Sequence, residues 1–171
     1  MEIGMPINQA RTLARYNRWM NDKFYALSSQ LTDAQRKQDC RAYFKSIHGT
    51  LNHLLLGDRI WLGRFEGQPY PASRLDAELF ADFEELRVAR LHTDDRIQAW
   101  ANAVTDEILN AELHYRSVVN PAPRSIPMWL AVSHFFNHQT HHRGQLSTLL
   151  SQFGLDCGVT DLLWLPDAGG A

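Results

Sequence analysis

The stretch Ser133-His134-Phe135-Phe136-Asn137-His138-Gln139-Thr140-His141-His142-Arg143-Gly144-Gln145 decides how this chain folds. Four of the chain's eight histidines fall within nine residues of it. It lies in a segment, from about Pro127 to Phe153, whose apolar residues Ala131, Phe135, Leu146, Leu149 and Phe153 recur at helical spacing. His138 and His142 fill the gap in that stripe. They share one helix face, one turn apart, and point where core residues point. His141 sits about 100° around the axis from His142, and His134 lies on a neighbouring row. Two neutral imidazoles stacked in this way are half of a metal site. Buried together without a partner, they would be costly. Pro127 suits the start of this helix, and Gly154 offers a left-handed stop.

The missing half must come from another element. A second helix is expected from about Lys45 to Phe65, with Ile47, Leu51, Leu54, Asp58, Trp61 and Phe65 on one face. Gly67-Gln68-Pro69-Tyr70-Pro71 ends it, and a polar loop follows to about Leu79. The helix carries His48 and His53, about 140° apart, so both cannot point to one site. Thr50 and Gly57 are small and lie on the face of His53, leaving room beside that ring for an ion. Periodicity prefers His53 by a small margin and does not exclude His48. Asp58, on the apolar stripe, reads as a charge paired to Arg59, Arg64 or Arg143. Its other reading is a carboxylate that orients a ligand or contacts substrate.

Two more long helices complete the pattern. The first is expected from Pro6 to about Leu31, with Leu13, Tyr16, Met20, Phe24 and Leu27 in its stripe; Asn17, Asn21 and Asp22 interrupt it. The third is expected from about Phe80 to Val104, its first turns loaded with Asp82, Glu84 and Glu85. The polar run His92-Thr93-Asp94-Asp95 marks a place where that helix could break. Thr32-Asp33 reads as a pause and Asp39 to Tyr43 as an irregular connection. Glu112 to Val118 alternates like a strand, Asn120-Pro121-Ala122-Pro123 turns, and Arg124-Ser125-Ile126 returns, giving a small hairpin before the last long helix. Asp161 to Pro166 reads as an apolar tail over a bundle end, and Asp167 to Ala171 as a frayed end. The expectation is an all-α, antiparallel four-helix bundle in a single domain over residues 1–171.

Composition narrows the function. An apolar fraction of 44% with 21% charged residues suits a globular chain with a real core. A net charge of −2, with Lys and Arg dispersed, gives no footprint for nucleic acid. Cys40 and Cys157 form no metal-binding spacing and read as reduced thiols. No signal peptide opens the sequence and no apolar run is long enough for a membrane span, which places the protein in the cytoplasm. Gln139, Thr140 and His141 stand between His138 and His142, so the zinc-protease motif lacks its glutamate. No nucleophile elbow, Walker loop or dinucleotide fingerprint is present.

The run from His138 to Gln145 resembles the C-terminal helix signature of the DinB family. Tyr16-Asn17-Arg18-Trp19-Met20-Asn21 is similar to the family's first-helix motif. Thr50-Leu51-Asn52-His53-Leu54-Leu55, followed by Asp58-Arg59-Ile60-Trp61-Leu62, is similar to its second. Gly154-Leu155 and Asp161-Leu162-Leu163 fit its C-terminal pattern. The resemblance implies a four-helix bundle holding a divalent metal, usually zinc or nickel, on His53, His138 and His142, with open positions for water or substrate. It also implies a homodimer. Related members are transferases and isomerases that use a low-molecular-weight thiol; the family is named for damage-inducible bacterial proteins, which adds a stress response.

An ion held by three neutral histidines keeps its positive charge and lowers the pKa of a bound water or thiol. Around it, Arg143 could steer an anionic group or form a salt bridge, and Gln145 could hydrogen-bond near the metal or simply pack. His141 and His134 could accept protons or stand in solvent. The competing expectation is a non-catalytic, metal-stabilised binding or stress-response protein. The expected partner is a small molecule, with neither nucleic acid nor membrane.

Overall fold

The computed structural model describes residues 5–120 and 122–166, so Pro121 of the expected turn and the tail from Asp167 lie outside the described residues. In chain order the elements are α1 (Ile7–Ser28), α2 (Asp33–Lys37), α3 (Ile47–Phe65), α4 (Phe83–Ala103), α5 (Asp106–Asn110), β1 (Glu112–Arg116), β2 (Pro123–Pro127), α6 (Met128–Ser151) and a 3-10 turn at Leu162–Trp164. The protein is all-α apart from the hairpin, in which β1 and β2 pair antiparallel with Leu113 opposite Ile126. Both cysteines are free thiols. No helix among the described residues is long and apolar enough to cross a membrane.

Helix ends follow local chemistry. The Ser46 hydroxyl accepts from Gly49 N–H at 3.0 Å and starts α3; Asp82 accepts from Glu85 N–H at 2.9 Å and starts α4. Gly154, at φ +76, closes α6: its N–H donates to Ser151 and Leu155 N–H donates to Leu150, a double bond set that needs the left-handed residue. Two elements escaped the periodic reading because each is five residues long. The pause at Thr32-Asp33 is the capping box of α2, where Thr32 and Gln35 cap one another. Thr105 likewise caps α5.

The expected break at His92 to Asp95 does not occur. The α4 helix runs through it, because Thr93 and Asp94 face the bundle interior and find partners there. Thr93 donates to Ala89 O at 2.8 Å, and Asp94 belongs to the polar layer described below.

The four long helices form the bundle, with α1 and α3 each packed against both α4 and α6. Contacts between α1 and α4 run in opposite order, Arg11 meeting Asn102 and Asn17 meeting Asp94, so this pair is antiparallel. Between α3 and α4 they run in the same order: Asp58 meets Arg90, Arg59 meets Thr93 and Phe65 meets Trp100. Those two helices are parallel. The connection 66–82 must therefore travel back along the bundle, a distance of roughly 28 Å for a helix the length of α3.

Two apolar clusters fill the bundle, one at each end. One gathers Ala10, Ala14, Leu62, Ile97, Ala101 and Phe135; the other gathers Met20, Phe24, Leu51, Leu55, Leu86 and Leu146. Between them lies a buried polar layer to which all four long helices contribute. Arg90 donates to Asp58 at 2.5 Å and lies 2.8 Å from Asp94. The Asn21 carboxamide donates to both Asp94 oxygens at 3.0 and 3.2 Å, and Asn17 donates to Asp94 at 3.3 Å. Arg143 donates to Asn17 Oδ1 and stands 5.3 Å from the Tyr16 ring centre. Asp58 thus pairs with Arg90, not with the expected Arg59, Arg64 or Arg143, because Arg90 is the cation that the parallel α3–α4 register brings level with it. Arg143 is no surface charge but a core one.

Burial pushes the Asp58 carboxyl up to about 7 against the pull of Arg90. The same burial opposes the charge on Arg90, yet Asp94 and Asp58 together outweigh it and raise its pKa. Replacing Arg90 by methionine leaves two buried carboxylates without their cation. Urea denaturation of Arg90→Met is expected to show a loss of about 3–5 kcal/mol, the usual cost of removing one partner from a buried ionic group. A loss under about 1 kcal/mol, the range of surface pairs, would show that the layer contributes little.

Candidate metal centre

The antiparallel pair α3 and α6 builds the site. His53 stands in the middle of α3, and His138 and His142 stand one turn apart on α6. The helices come close because Gly57, one turn beyond His53, has no side chain. A Cβ there would lie 3.1 Å from His138 Cε1. The space expected beside His53 for an ion is in part space for the His138 ring. Thr50, the other small residue on that face, turns its hydroxyl back to Ser46 O at 2.8 Å.

The three Nε2 atoms form a triangle. His53 to His138 is 3.3 Å, His53 to His142 is 3.2 Å, and His142 to His138 is 3.1 Å. Three nitrogens on one tetrahedral ion at about 2.0–2.1 Å stand about 3.3–3.4 Å apart, so the set fits a metal.

The chemistry of the donors agrees. His53 Nδ1 is 2.8 Å from Leu75 O, and a carbonyl only accepts, so the proton of this ring is on Nδ1. His142 Nδ1 is 2.8 Å from Gln145 Oε1, which fixes the same tautomer. Both Nε2 atoms then present lone pairs to each other at 3.2 Å. Facing lone pairs repel, and a cation between them turns that repulsion into bonding. A proton is a poor substitute here. Burial pulls the His53 pKa down to about 4 and the His138 pKa to about 3, with His142 adding to both shifts, and burial lowers His142 as well. The rings are neutral at physiological pH, the state in which imidazole binds metal. Among the described residues this is the group of histidine, cysteine and carboxylate side chains placed to hold an ion.

The expected residues fall into distinct places. His48 is turned away from the triangle, with Nε2 2.9 Å from Phe80 O and 3.1 Å from Glu78. His141 is exposed, with Nε2 3.3 Å from Gln145 Nε2. His134 lies toward the hairpin end, 5.0 Å from the Trp61 ring and 6.0 Å from that of His138. Gln145 orients His142. Asp58 and Arg143 belong to the polar layer behind the site, where Asp58 accepts from Arg90 and Arg143 donates to Asn17.

Three features had not been anticipated. Phe44 stacks on His53 with ring centres 3.8 Å apart and meets His142 edge-on at 5.4 Å. The Leu75 carbonyl that orients His53 comes from the long 66–82 connection. Asn52 ties that connection down: its side-chain oxygen accepts from Leu79 and Phe80 N–H at 2.8 and 3.0 Å, and its nitrogen donates to Phe80 O at 3.1 Å. Asn52 beside His53 was a readable signal, a polar residue at an inward position. Leu75 acts through its backbone, which no side-chain pattern reveals. Two of the three rings, His53 and His142, open on one side into a cleft of about 840 Å³ that His141 and Gln145 also line.

Comparison with known proteins agrees with this architecture. The family model described as DinB family matches residues 5–169. The curated Protein DinB of Bacillus subtilis (strain 168) is 28% identical over 159 residues, covering 87% of this chain and 88% of that protein.

The lowered ring pKa values set the pH response. A protonated imidazole cannot bind metal, and all three rings are lowered from the ordinary value of 6.5, His53 to about 4 and His138 to about 3. Zinc affinity, measured against a competing chelator, should hold as pH falls through 6.5 and weaken toward the range of 4 to 3, where His53 and His138 take up protons. Weakening that begins at about pH 6.5 would mark ordinary, solvated rings.

Proposed function

The chain belongs to the DinB family, and on that premise we propose a divalent-metal-dependent enzyme of the transferase or isomerase type, acting on a small molecule with a low-molecular-weight thiol. The observation that carries this reading is the triangle of three neutral Nε2 atoms, two of whose rings, His53 and His142, line an open cleft. His53, His138 and His142 would hold zinc or nickel. The ion supplies Lewis acidity, lowering the pKa of a thiol or water and favouring the nucleophilic form at neutral pH.

The protein's own groups do the rest. The Leu75 carbonyl and Gln145 keep the His53 and His142 lone pairs aimed at one point. Phe44 covers one face of His53 and keeps water from it. His141, on the cleft wall, is placed to take the proton that a thiol gives up. Arg143 does not steer substrate in this reading, because it is buried and committed to Asn17.

A purely structural ion is the weaker reading. It calls for a closed coordination set, and among the described residues no fourth histidine, cysteine or carboxylate joins the group. A nucleic-acid role gains nothing from a net charge of −2.

Protein purified without chelator or affinity tag should hold about one metal per chain. His53→Ala and His138→Ala should each abolish it, whereas His48→Ala should keep it. Holo protein incubated with cellular thiols and a panel of electrophiles should form conjugates detectable by mass spectrometry. Metal retained by the His53→Ala, His138→Ala double variant sinks the site. Silence across the panel leaves the structural ion as the better account.

A further inference from the structure

Three connections that are far apart in sequence each bring apolar side chains to the cleft that His53 and His142 line. The segment before α3 brings Tyr43 and Phe44. The 66–82 connection brings Leu75, and the hairpin tip brings Val118 and Val119. The bundle does not need these groups as core. Tyr43 is 86% exposed, Val119 75% and Leu75 39%, although all three are apolar or aromatic. Exposed apolar residues scattered singly are ordinary, but these converge on one cleft, and such a gathered patch marks a ligand-binding surface.

The walls are also held in place. Arg41 and Lys45 sit at φ 57 and 65, a costly conformation for residues with side chains, on either side of Tyr43-Phe44. Backbone bonds from Cys40 N–H to Lys45 O at 2.7 Å and from Lys45 N–H to Ala42 O at 2.8 Å close that loop. Tyr43 meets Phe44 edge-on with ring centres 4.8 Å apart, and Phe44 rests on His53.

Charge at the cleft is balanced. Arg74 is the one lysine or arginine among the described lining residues, and it closes on Asp76 through two bonds of 2.9 and 2.7 Å. Asp76 lines the same cleft. A polyanionic ligand would find no unpaired cationic side chain along these walls; the floor, by contrast, favours one anionic donor. The volume, about 840 Å³, suits a small molecule.

We infer that the cleft takes a small organic molecule with a single anionic, metal-seeking head and an uncharged apolar or aromatic body. The head sits over His53, His138 and His142, and the body lies between Tyr43-Phe44, Leu75 and the Val118-Val119 tip. This rests on the metal reading proposed above. It narrows that reading: the thiol or electrophile is lightly charged and apolar, and multiply charged peptide thiols are poor ligands.

Hydroxamates separate the two ideas, because the head binds metal and the body can be varied. The zinc-loaded protein is titrated with acetohydroxamate, benzohydroxamate and 4-carboxybenzohydroxamate by calorimetry. Benzohydroxamate should bind about tenfold or more tighter than acetohydroxamate, the gain expected from covering an aromatic ring with apolar walls. The added carboxylate should cancel most of that gain. Val119→Asp and Tyr43→Ala, both at exposed positions, should weaken benzohydroxamate and leave acetohydroxamate unchanged.

Equal affinities for the first two probes, or equal effects of the variants on both, overturn the cleft inference while the metal site stands. So does tighter binding of the carboxylated probe. If the protein retains no zinc, or acetohydroxamate does not bind the loaded form, the metal reading fails and takes this inference with it.

Discussion

Two guanidinium groups and two carboxylates lie in the middle of the bundle, and the register of every long helix depends on their meeting. Arg90, Asp58, Asp94 and Arg143 are all buried, with Asn17 and Asn21 between them. When both carboxylates are ionised they balance the two guanidinium groups. The gain in stability from such a group is small, because desolvation of each ion consumes most of the attraction. Its effect on specificity is larger. A slip of one turn between α3 and α4 would move Asp58 about 5.4 Å from Arg90 and leave both ions without a partner. The apolar clusters at the two ends would tolerate such a slip far better, since leucine against leucine sets no fixed register.

The histidine triangle depends on that registration. His53 is five residues before Asp58 on α3, and His142 directly precedes Arg143 on α6. Fixing Asp58 and Arg143 in the layer fixes the height at which the three rings face one another. Nε2 atoms at 3.1 to 3.3 Å leave little room for error. The parallel run of α3 and α4 adds a second dependence. It forces the 66–82 connection to return along the bundle, and that path carries Leu75 past His53. The hydrogen bond that sets the His53 tautomer is therefore a consequence of topology.

Much of this was legible in the sequence. Long apolar stripes gave the four helices to within a few residues, and the alternation from Glu112 gave the hairpin. The gap in the α6 stripe singled out His138 and His142 as inward-facing. Three of the stripes also carried polar interruptions: Asn17 and Asn21, Asp58, and the run containing Asp94. Read helix by helix, these looked like separate irregularities, one of them a helix break. Only the helix directions show that they meet at one level, and periodicity carries no direction. Periodicity preferred His53 over His48 by only a small margin, for a related reason. The wheel gives the angle of a ring about its own axis, not which neighbour lies on that side. Phe44 and Leu75 left no trace because they sit in connections, where neither periodicity nor residue type predicts position.

The division of labour between helices and connections bears on how such a site could change its chemistry. The three Nε2 atoms stand on helices locked by the polar layer, so their geometry resists substitution elsewhere. The cleft walls stand on three connections that share no hydrogen-bonded ladder with one another, and surface connections accept changes in length and composition. Tyr43, the Leu75 side chain and Val118-Val119 lie outside the layer and both apolar clusters. Changes there would reshape the cleft walls, while Phe44 and the Leu75 carbonyl, which meet His53, keep the imidazoles in place. A bundle built in this way can keep its histidine triangle and vary the walls around it, as expected when function resides in a site carried by a fold rather than in the fold itself.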